Sequence, residues 1–244
     1  MSEIYENSTI LAEYLLFHYG TIGEILPETV AWPAGMREAL DFPVRTPSAF
    51  SNSGAKRGLD LGCAVGRSTY EMSRSCAEVV GMDFSHSFVN AARELAEGNG
   101  VLYSRRDEGH VETPLKAVLP EGVFPERVSF FQGDAMDLPS DIGIFDRVHA
   151  ANLLCRLSDP VKLLDRLPSL LRSGGQLILA TPCTWLEGFT SSEKWPTGGT
   201  LPWLEEHLGE AFDLISERDE PFLIRETSRK FQWTRSMLTA WQKR

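Results

Sequence analysis

The segment from Arg57 to Arg67, RGLDLGCAVGR, restricts the fold of this chain more than any other. Its two leucines predict a short buried strand, Gly62 and Gly66 predict a tight turn, and a helix is expected from Arg67 onward. A strand, turn and helix of this form present backbone N–H groups to a ligand. Asp60 places a carboxylate in the strand end, where it needs a polar partner, and we expect a bound ligand to supply one. The segment therefore predicts a small-molecule site.

After this segment, strands and helices alternate along the chain. Such alternation predicts right-handed βαβ units, with a parallel sheet covered by helices on both faces. Two final extended segments, 212–218 and 230–241, have no helical crossover between them and predict an antiparallel hairpin at the sheet edge. The other predicted strands are 59–62, 78–83, 128–132, 144–150 and 176–181, and the predicted helices are 5–20, 67–77, 85–97 and 159–171.

Helix boundaries follow from capping residues. Ser8 is the expected N-cap of the first helix and Gly20 its stop, while Ser85 is the expected N-cap of the helix over 85–97. Gly174 and Gly175 are expected to end the helix over 159–171.

The chain is expected to form one domain over residues 1–244. Residues 1–50 form an N-terminal cap region, and residues 98–127 form an insertion that is too polar for core and too long for a plain connection. A loop over 182–200, rich in glycine, proline and threonine, follows the fifth strand.

Net charge and cysteine spacing restrict the kinds of partner that the chain can bind. The formal net charge of −10 disfavours a nucleic-acid or anionic-membrane partner, although residues 225–244 carry six Lys/Arg against one acid. The four cysteines lie far apart without zinc spacing, so we expect reduced thiols, no metal site and a cytoplasmic location. The N-terminus lacks a basic leader segment, and no apolar run reaches about 18 residues.

The glycine spacing separates two cofactor classes. A dinucleotide-binding turn has the form G-x-G-x-x-G, whereas this chain has Gly62-x-x-x-Gly66, which disfavours a nicotinamide-dependent oxidoreductase. With Asp60 included, the pattern D-x-G-x-A-x-G resembles motif I of the class I S-adenosylmethionine-dependent methyltransferases. Ala64 replaces the middle glycine of that motif, which is tolerable if its φ angle is negative.

Three further segments resemble the same family in register. Asp83 ends the second predicted strand, where an acid accepts the ribose hydroxyls, and Asp134 follows the third strand, where it is expected near the adenine. Residues 170–179 resemble the glycine turn before the fifth strand. The resemblance implies an α/β, Rossmann-like sheet of seven mostly parallel strands and S-adenosylmethionine as cofactor, with S-adenosylhomocysteine as product. The implied cofactor-binding residues are Asp60, Gly62, Cys63, Ala64, Gly66, Asp83, Phe84, Gly133, Asp134, Ala135 and Ala150.

A narrower resemblance covers nearly the whole chain. Residues 13–20, 39–45, 181–186 and 221–233 are similar to the methyltransferase domain at the C-terminal end of ovothiol synthases and to standalone 4-mercaptohistidine N1-methyltransferases. This resemblance implies methylation of the imidazole π-nitrogen of 5-thiohistidine, a small-molecule substrate.

Such a substrate needs a cationic fork for its α-carboxylate and a partner that holds the ring or removes its proton. Arg225, Arg229 and Lys230 are candidates for the fork and Glu226 for the ammonium contact, against the alternative of solvated charges on an edge hairpin. The expected catalytic residues are Tyr14 and His18, spaced i and i+4 on the first helix, and Asn152 after the fourth strand. Packing of the first helix explains Tyr14 and His18 equally well. The expected substrate-binding residues are Tyr14, His18, Asn152, Arg156, Trp185, Arg225, Lys230 and Trp233.

Two other functions stay open on the sequence. One is methylation of another small amine, thiol or imidazole, and the other is a non-catalytic S-adenosylmethionine-binding protein.

Overall fold

The computed structural model describes residues 5–51 and 53–244, and a seven-stranded sheet organises it. The strand order is β5-β2-β1-β6-β7-β9-β8, with β5, β2, β1, β6 and β7 mutually parallel and β9 antiparallel to both neighbours. The strands of this sheet are β1 Ala55–Leu61, β2 Cys76–Asp83, β5 Val128–Gln132, β6 Phe145–Ala151, β7 Leu171–Thr181, β8 Phe212–Arg225 and β9 Phe231–Lys243. Alternating strands and helices and the terminal hairpin are therefore confirmed.

Helices lie along the connections. Those that follow the glycine turn and the later strands are α4 Arg67–Met72, α5 His86–Ala96, α6 Pro160–Leu170 and α7 Thr200–Leu208, and those that precede β1 are α1 Ser8–Tyr19, α2 Ile22–Ile25 and α3 Phe42–Arg45. The interior of β1 is fully buried at Leu59 and Leu61, each 0% exposed, because β1 pairs with β2 on one side and β6 on the other. The carboxyl end of β1 is thus the centre of the sheet's carboxyl edge.

Two predicted caps are wrong. Asn7, not Ser8, caps α1, because its side chain accepts a hydrogen bond from the Thr9 amide. Gly174 and Gly175 do not end α6: that helix ends at Leu170, and β7 begins at once. The glycines lie in an irregular stretch of β7, where the pairing with β6 shifts register. Ser85 caps α5 as predicted, accepting from the Phe88 amide.

Three segments differ from the sequence prediction in extent. Helix α4 ends at Met72 instead of residue 77, because β2 already begins at Cys76. Helix α7 was not predicted. Most of the polar segment over 98–127 forms a two-stranded antiparallel hairpin, β3 Val101–Glu108 and β4 Val111–Ala117, outside the main sheet. Its two end residues, Val101 and Ala117, are buried in the cluster that also holds part of α5, so the hairpin does contribute to the core.

Across the described part of the chain, no helix combines the length and the apolar character needed to cross a bilayer.

Candidate active site

The turn after β1 has an unusual backbone. Gly62, Ala64 and Gly66 all have positive φ angles, of +69°, +47° and +85°. A Cβ atom on Gly66 would lie 2.7 Å from the Phe130 ring, and one on Gly62 would lie 3.1 Å from Leu153. From the sequence, the replacement of the middle motif glycine by Ala64 depends on a negative φ angle, whereas the φ angle is positive. Ala64 therefore adopts the left-handed conformation, which a glycine at this position would adopt without strain.

Asp60 lies beneath this turn and is satisfied by the protein itself. Its carboxylate oxygens pair with His149 Nδ1 at 2.7 Å and with Thr69 Oγ1 at 2.7 Å, and Asp60 and His149 are each 1% exposed. The other ring nitrogen of His149 pairs with Thr46 Oγ1 at 3.0 Å. The expectation that a ligand balances the Asp60 carboxylate is thus wrong. Asp60 instead joins β1, α4 and β6 under the turn.

Asp83 ends β2 beside the turn and keeps a carboxylate at the edge of the sheet. Its two oxygens accept from the backbone amides of Ala64 and Ser85, each at 2.9 Å. Burial raises the pKa of Asp83 to about 6, and the charge of Asp60 also raises it, while the amide hydrogen bonds lower it. The neighbouring Phe84 is 47% exposed and adds an apolar surface.

The turn after β5 lies beside the end of β2, at the same carboxyl edge of the sheet. The Gly133 amide donates to the Asp83 carbonyl at 2.9 Å, which places the two strand ends side by side. One oxygen of Asp134 accepts from the Met136 amide at 2.8 Å, so this carboxylate shapes its own turn. Ala135 is 9% exposed, and Ala150, 1% exposed, lies inside β6 in the main core. The Ala150 side chain is thus packed in the core, and a cofactor contact of this residue stays a prediction for its backbone.

Residues that precede β1 form hydrogen bonds with the segments at the carboxyl ends of β1 and β2. The Tyr19 hydroxyl donates to the Val65 carbonyl at 2.8 Å, and Arg67 donates to the His18 carbonyl at 3.1 Å. Further along, Ser85 donates to the Tyr5 carbonyl at 3.1 Å, and Glu6 accepts from the first amides of α5. Sequence reasoning missed these hydrogen bonds, because each joins residues at least 46 positions apart and leaves no local signal.

Tyr14 and His18 share the face of α1 that meets the turn. Their rings are stacked with centroids 6.0 Å apart, and the Tyr14 ring lies 4.8 Å from that of Phe88. Burial lowers the pKa of His18 to about 3, and the nearby charge of Arg67 lowers it further; His18 Nδ1 has no hydrogen-bond partner among the described residues. Burial also raises the pKa of Tyr14, and the charges of Tyr5 and Asp83 add to this effect.

Neither side chain is therefore charged at neutral pH. A histidine with so low a pKa is a weak base, and a buried tyrosine with a raised pKa is not a phenolate. Burial therefore disfavours proton removal by Tyr14 or His18, and a catalytic role for either side chain stays a prediction.

Asn152 and Arg156 follow β6 at the same edge. Asn152 adopts a positive φ of +56°, which asparagine tolerates, and its side-chain oxygen accepts from Ser236 at 2.6 Å. Arg156 donates to the Thr184 carbonyl at 3.1 Å. Burial raises the pKa of Tyr5 and Tyr14, and the charge of Arg156 opposes this rise. The structure thus brings Asn152 to the carboxyl edge and places Arg156 close to the α1 aromatic rings.

The remaining predicted substrate residues are engaged elsewhere. Arg225 is 4% exposed and donates to Asp107 at 2.8 Å and to the carbonyls of Glu24 and Ile25 through its two terminal nitrogens. Its contact with a substrate carboxylate stays a prediction. Lys230 is exposed and pairs with Glu226 at 2.5 Å.

The two tryptophans also have protein partners. Trp233 donates to the Gly35 carbonyl at 3.2 Å, on an exposed surface. Trp185 donates to Thr200 at 3.1 Å and packs edge-on against Trp203. Neither indole N–H is therefore free to orient a substrate.

Comparison with known proteins identifies the class. The strand order, with the three left-handed residues at the carboxyl end of β1, defines the fold of the class I methyltransferases. Residues 59–179, just under half of the chain, match a family model described as a methyltransferase domain, and this match supports an S-adenosylmethionine-dependent methyltransferase.

Curated relatives match over part of their length. A demethylmenaquinone methyltransferase of Clavibacter sepedonicus is 29% identical over 136 residues, 56% of this chain and 45% of that protein. The methyltransferase GfsG of Streptomyces halstedii is 27% identical over 129 residues, 52% of this chain and 38% of that protein. The chain thus matches less than half the length of either relative.

Solved structures match over almost the whole chain. The N-methyltransferase NodS of Bradyrhizobium japonicum WM9, in complex with S-adenosylhomocysteine, has a TM-score of 0.54 at 14% identity, covering 97% of this chain and 99% of that one. A structure described as the conversion of a disulfide bond into a thioacetal group during echinomycin biosynthesis has a TM-score of 0.58 at 14% identity, covering 100% of this chain and 93% of that one. At such identities the likeness is one of fold.

S-adenosylmethionine is the cofactor of this domain, and the residues of the site fit it. The turn over Gly62–Gly66 has no side chain at its two glycine positions: a Cβ atom would collide with Phe130 at Gly66 and fit tightly against Leu153 at Gly62, so the bare backbone of the turn is kept. Asp83 supplies an acceptor for hydroxyl donors at the end of β2, as nucleotide-binding folds require.

Proposed function

We propose that this protein transfers the methyl group of S-adenosylmethionine to the imidazole π-nitrogen of 5-thiohistidine. The observation that carries the proposal is the uncharged pair Tyr14 and His18, buried against the glycine turn with His18 Nδ1 left unpartnered. A neutral, aromatic surface with one free nitrogen suits a flat heteroaromatic substrate better than an ionic one. The resemblance of residues 13–20 and 221–233 to the thiohistidine methyltransferases supports the same substrate.

The cofactor supplies an electrophilic methyl group on a sulfonium, so the protein's task is mostly positioning. Tyr14 and Phe88 cover the turn with aromatic rings and exclude water from it. Asn152, oriented by Ser236 at 2.6 Å, presents its amide group at the carboxyl edge. Arg156 places a positive charge near the same aromatic rings, and we propose that it meets the thiolate or carboxylate of the substrate.

No base is needed before the transfer. A neutral imidazole carries a lone pair on one nitrogen, which attacks the methyl carbon as the carbon–sulfur bond breaks to give S-adenosylhomocysteine. The methylated ring is then cationic and loses the proton of its other nitrogen to solvent. We propose that His18 Nδ1 accepts a hydrogen bond from that N–H group and so selects the reactive tautomer, a positioning role compatible with its low pKa.

The test is direct. Purified protein incubated with S-adenosylmethionine and 5-thiohistidine should yield a singly methylated product by mass spectrometry, with NMR placing the methyl group on the π-nitrogen. A protein that binds S-adenosylhomocysteine yet forms no methylated thiohistidine would refute the substrate assignment.

Variants separate positioning from base catalysis. His18→Ala and Tyr14→Phe should lower kcat/KM at least about tenfold while the shape of the pH profile between pH 6 and 9 stays that of the wild type, because neither group titrates there. Lys230→Gln, on an exposed ion pair of the terminal hairpin, serves as the matched control and should retain wild-type turnover. A pH profile that changes shape in His18→Ala would show that His18 acts as a base.

A second candidate is methylation of a different small nucleophile. The curated relative from Clavibacter sepedonicus is a demethylmenaquinone methyltransferase, so domains of this kind serve dissimilar acceptors. A panel of histidine, small thiols and catechols in the same assay discriminates, and turnover of a panel member faster than of 5-thiohistidine would favour this alternative. Cofactor binding without turnover of any member would favour a non-catalytic role.

A further inference from the structure

A cleft of about 290 Å³ lies between α1 and the β3–β4 hairpin. The α1 residues that line it include Ser8, Ala12 and Glu13, whereas Tyr14 and His18 are absent from its wall. The lining also includes Leu11 and Leu15, which belong to the same buried cluster as Ala64 and Val65 of the glycine turn. The cleft and the turn are therefore neighbouring sites on α1, and Tyr14 and His18 line only the turn side.

Two arginines line this cleft with unused donors. The two terminal nitrogens of Arg225 donate hydrogen bonds to Asp107 and to the carbonyls of Glu24 and Ile25. Its Nε is buried and has no hydrogen-bond partner among the described residues. The Nε atom of Arg106 is likewise buried without a hydrogen-bond partner among the described residues. A terminal nitrogen of Arg106 lies 3.5 Å from Glu13, which is the only carboxylate that this arginine contacts in the described chain. A buried N–H group without an acceptor costs about 1–3 kcal/mol, so both guanidinium groups favour an anionic ligand.

Two carboxylates face these arginines. Glu13 and Glu226 both line the cleft, and their side chains are 16% and 12% exposed. Burial raises the pKa of Glu13, the charge of Arg106 lowers it, that of Glu226 raises it and that of Lys230 lowers it, so the two acids and two cations form one charged cluster. An ammonium group between the two acids further relieves their mutual repulsion.

We infer that this cleft binds a free α-amino acid as its zwitterion. The carboxylate of the ligand accepts from Arg106 and Arg225, and its ammonium group lies between Glu13 and Glu226. A cavity of this volume is at the small end for ligand sites, roughly 300 Å³, which matches an amino acid and excludes a nucleotide. The inference does not depend on the identity of the methyl acceptor, because neither Tyr14 nor His18 lines the cleft.

Calorimetric titration with L-histidine tests the site on protein saturated with S-adenosylhomocysteine. Wild-type protein should bind one equivalent, and Arg106→Gln should bind about tenfold more weakly or worse, since it loses a charge-assisted hydrogen bond. The methyl ester and the N-acetyl derivative of L-histidine should each bind more weakly than L-histidine, because each removes one of the two charges. Absence of L-histidine binding to the wild type overturns the inference.

Two further variants locate the bound amino acid. Arg74→Gln is the matched control, because the Arg74 side chain is 40% exposed, as is that of Arg106, and it pairs with Glu71 away from the cleft. Arg74→Gln and Tyr14→Phe should both leave the affinity for L-histidine unchanged. Weakening in Tyr14→Phe with no change in Arg106→Gln would place the ligand at the turn and overturn the inference. Arg106 is used in preference to Arg225 because its exposed side chain can be replaced without unfolding the protein, as circular dichroism of the variant should confirm.

Discussion

At the scale of single residues, the turn after β1 shows how a hydrogen bond holds an unfavourable conformation. The Ala64 amide donates to Asp83 at 2.9 Å, and Ala64 keeps a φ of +47°. An L-residue in the left-handed region costs roughly 1–2 kcal/mol relative to glycine. The hydrogen bond from the Ala64 amide offsets part of this cost and also fixes the position of the Asp83 carboxylate.

Replacement of Ala64 by glycine should relieve this strain. We expect the free energy of unfolding of Ala64→Gly to stay within about 1 kcal/mol of the wild type or to rise, because relief of strain offsets the greater chain entropy of glycine. Urea denaturation measures the free energy of unfolding of the variant and of the wild type. The matched control is Ala92→Gly, a fully buried helical position in α5, which should lose about 1 kcal/mol or more. Equal losses in both variants would contradict the strain at Ala64.

Asp83 gives the site a pH dependence. Its pKa of about 6 in the folded protein lies above the ordinary 3.8, so ionisation is disfavoured in the folded state, and this group lowers the free energy of unfolding as pH rises from about 4 to 6. Only the carboxylate accepts two hydroxyl donors fully. The affinity for S-adenosylhomocysteine should therefore be constant above pH 6 and fall about tenfold per pH unit below it.

Calorimetry between pH 5 and 8 measures this dependence. In Asp83→Asn the affinity should be lower and independent of pH over that range. Asp134→Asn, which changes the other carboxylate at the strand ends, should retain the wild-type pH dependence. An unchanged slope in Asp83→Asn would assign the titration to another group.

At the scale of elements, ties between distant segments hold the site together. Helix α1 is fastened to the turn through Tyr19 and Arg67, and the residues before it are fastened to α5. Glu6 accepts from the amides of His86 at 2.8 Å and Ser87 at 3.2 Å, where the helix dipole favours a negative charge. The Ser87 hydroxyl and these amides lower the pKa of Glu6.

Glu6→Gln should loosen this tie. We expect a loss of about 0.3–1 kcal/mol in the free energy of unfolding at pH 7, together with faster amide hydrogen exchange over Ser8–Tyr19. Because the folded pKa is lowered, the difference from the wild type should be present above pH 4.5 and vanish as pH falls through the folded pKa. Glu97→Gln, at the opposite end of α5, is the control and should cause no loss. Unchanged hydrogen exchange in Glu6→Gln would show that α1 is held by its packing alone.

At the scale of the whole molecule, the cofactor is expected to stabilise the fold, since its site joins three strand ends. S-adenosylhomocysteine at 100 times its Kd should add about 2.7 kcal/mol to the free energy of unfolding and raise Tm by roughly 5–10 °C. Differential scanning calorimetry measures the shift, which should be smaller in Asp83→Asn. NADH should cause no shift, because the spacing from Gly62 to Gly66 is not that of a dinucleotide turn. An equal shift with NADH would contradict this cofactor preference.

Much of the fold was predictable from local patterns. The strands over 128–132 and around Leu59 follow from apolar runs, although only Phe130 of the first is buried, and the N-cap at Ser85 follows from its side chain. Boundaries failed where tertiary pairing overrode local signals. Gly174 and Gly175 resemble a helix stop, yet pairing of β7 with β6 draws them into a strand. The family resemblance implied seven mostly parallel strands, but the order β5-β2-β1-β6-β7-β9-β8 came only from the structure.

The sequence by itself determined the alternation of elements, the strand–turn–helix at the carboxyl edge and, through its glycine spacing, the cofactor class, because these depend on residues within a few positions of one another. The tertiary structure alone decided the partners of the charged groups. Asp60 meets His149, 89 positions away, and Arg225 meets Asp107, 118 positions away. A charge in the sequence reveals only that a partner is needed, and burial decides whether the partner is the protein or a ligand.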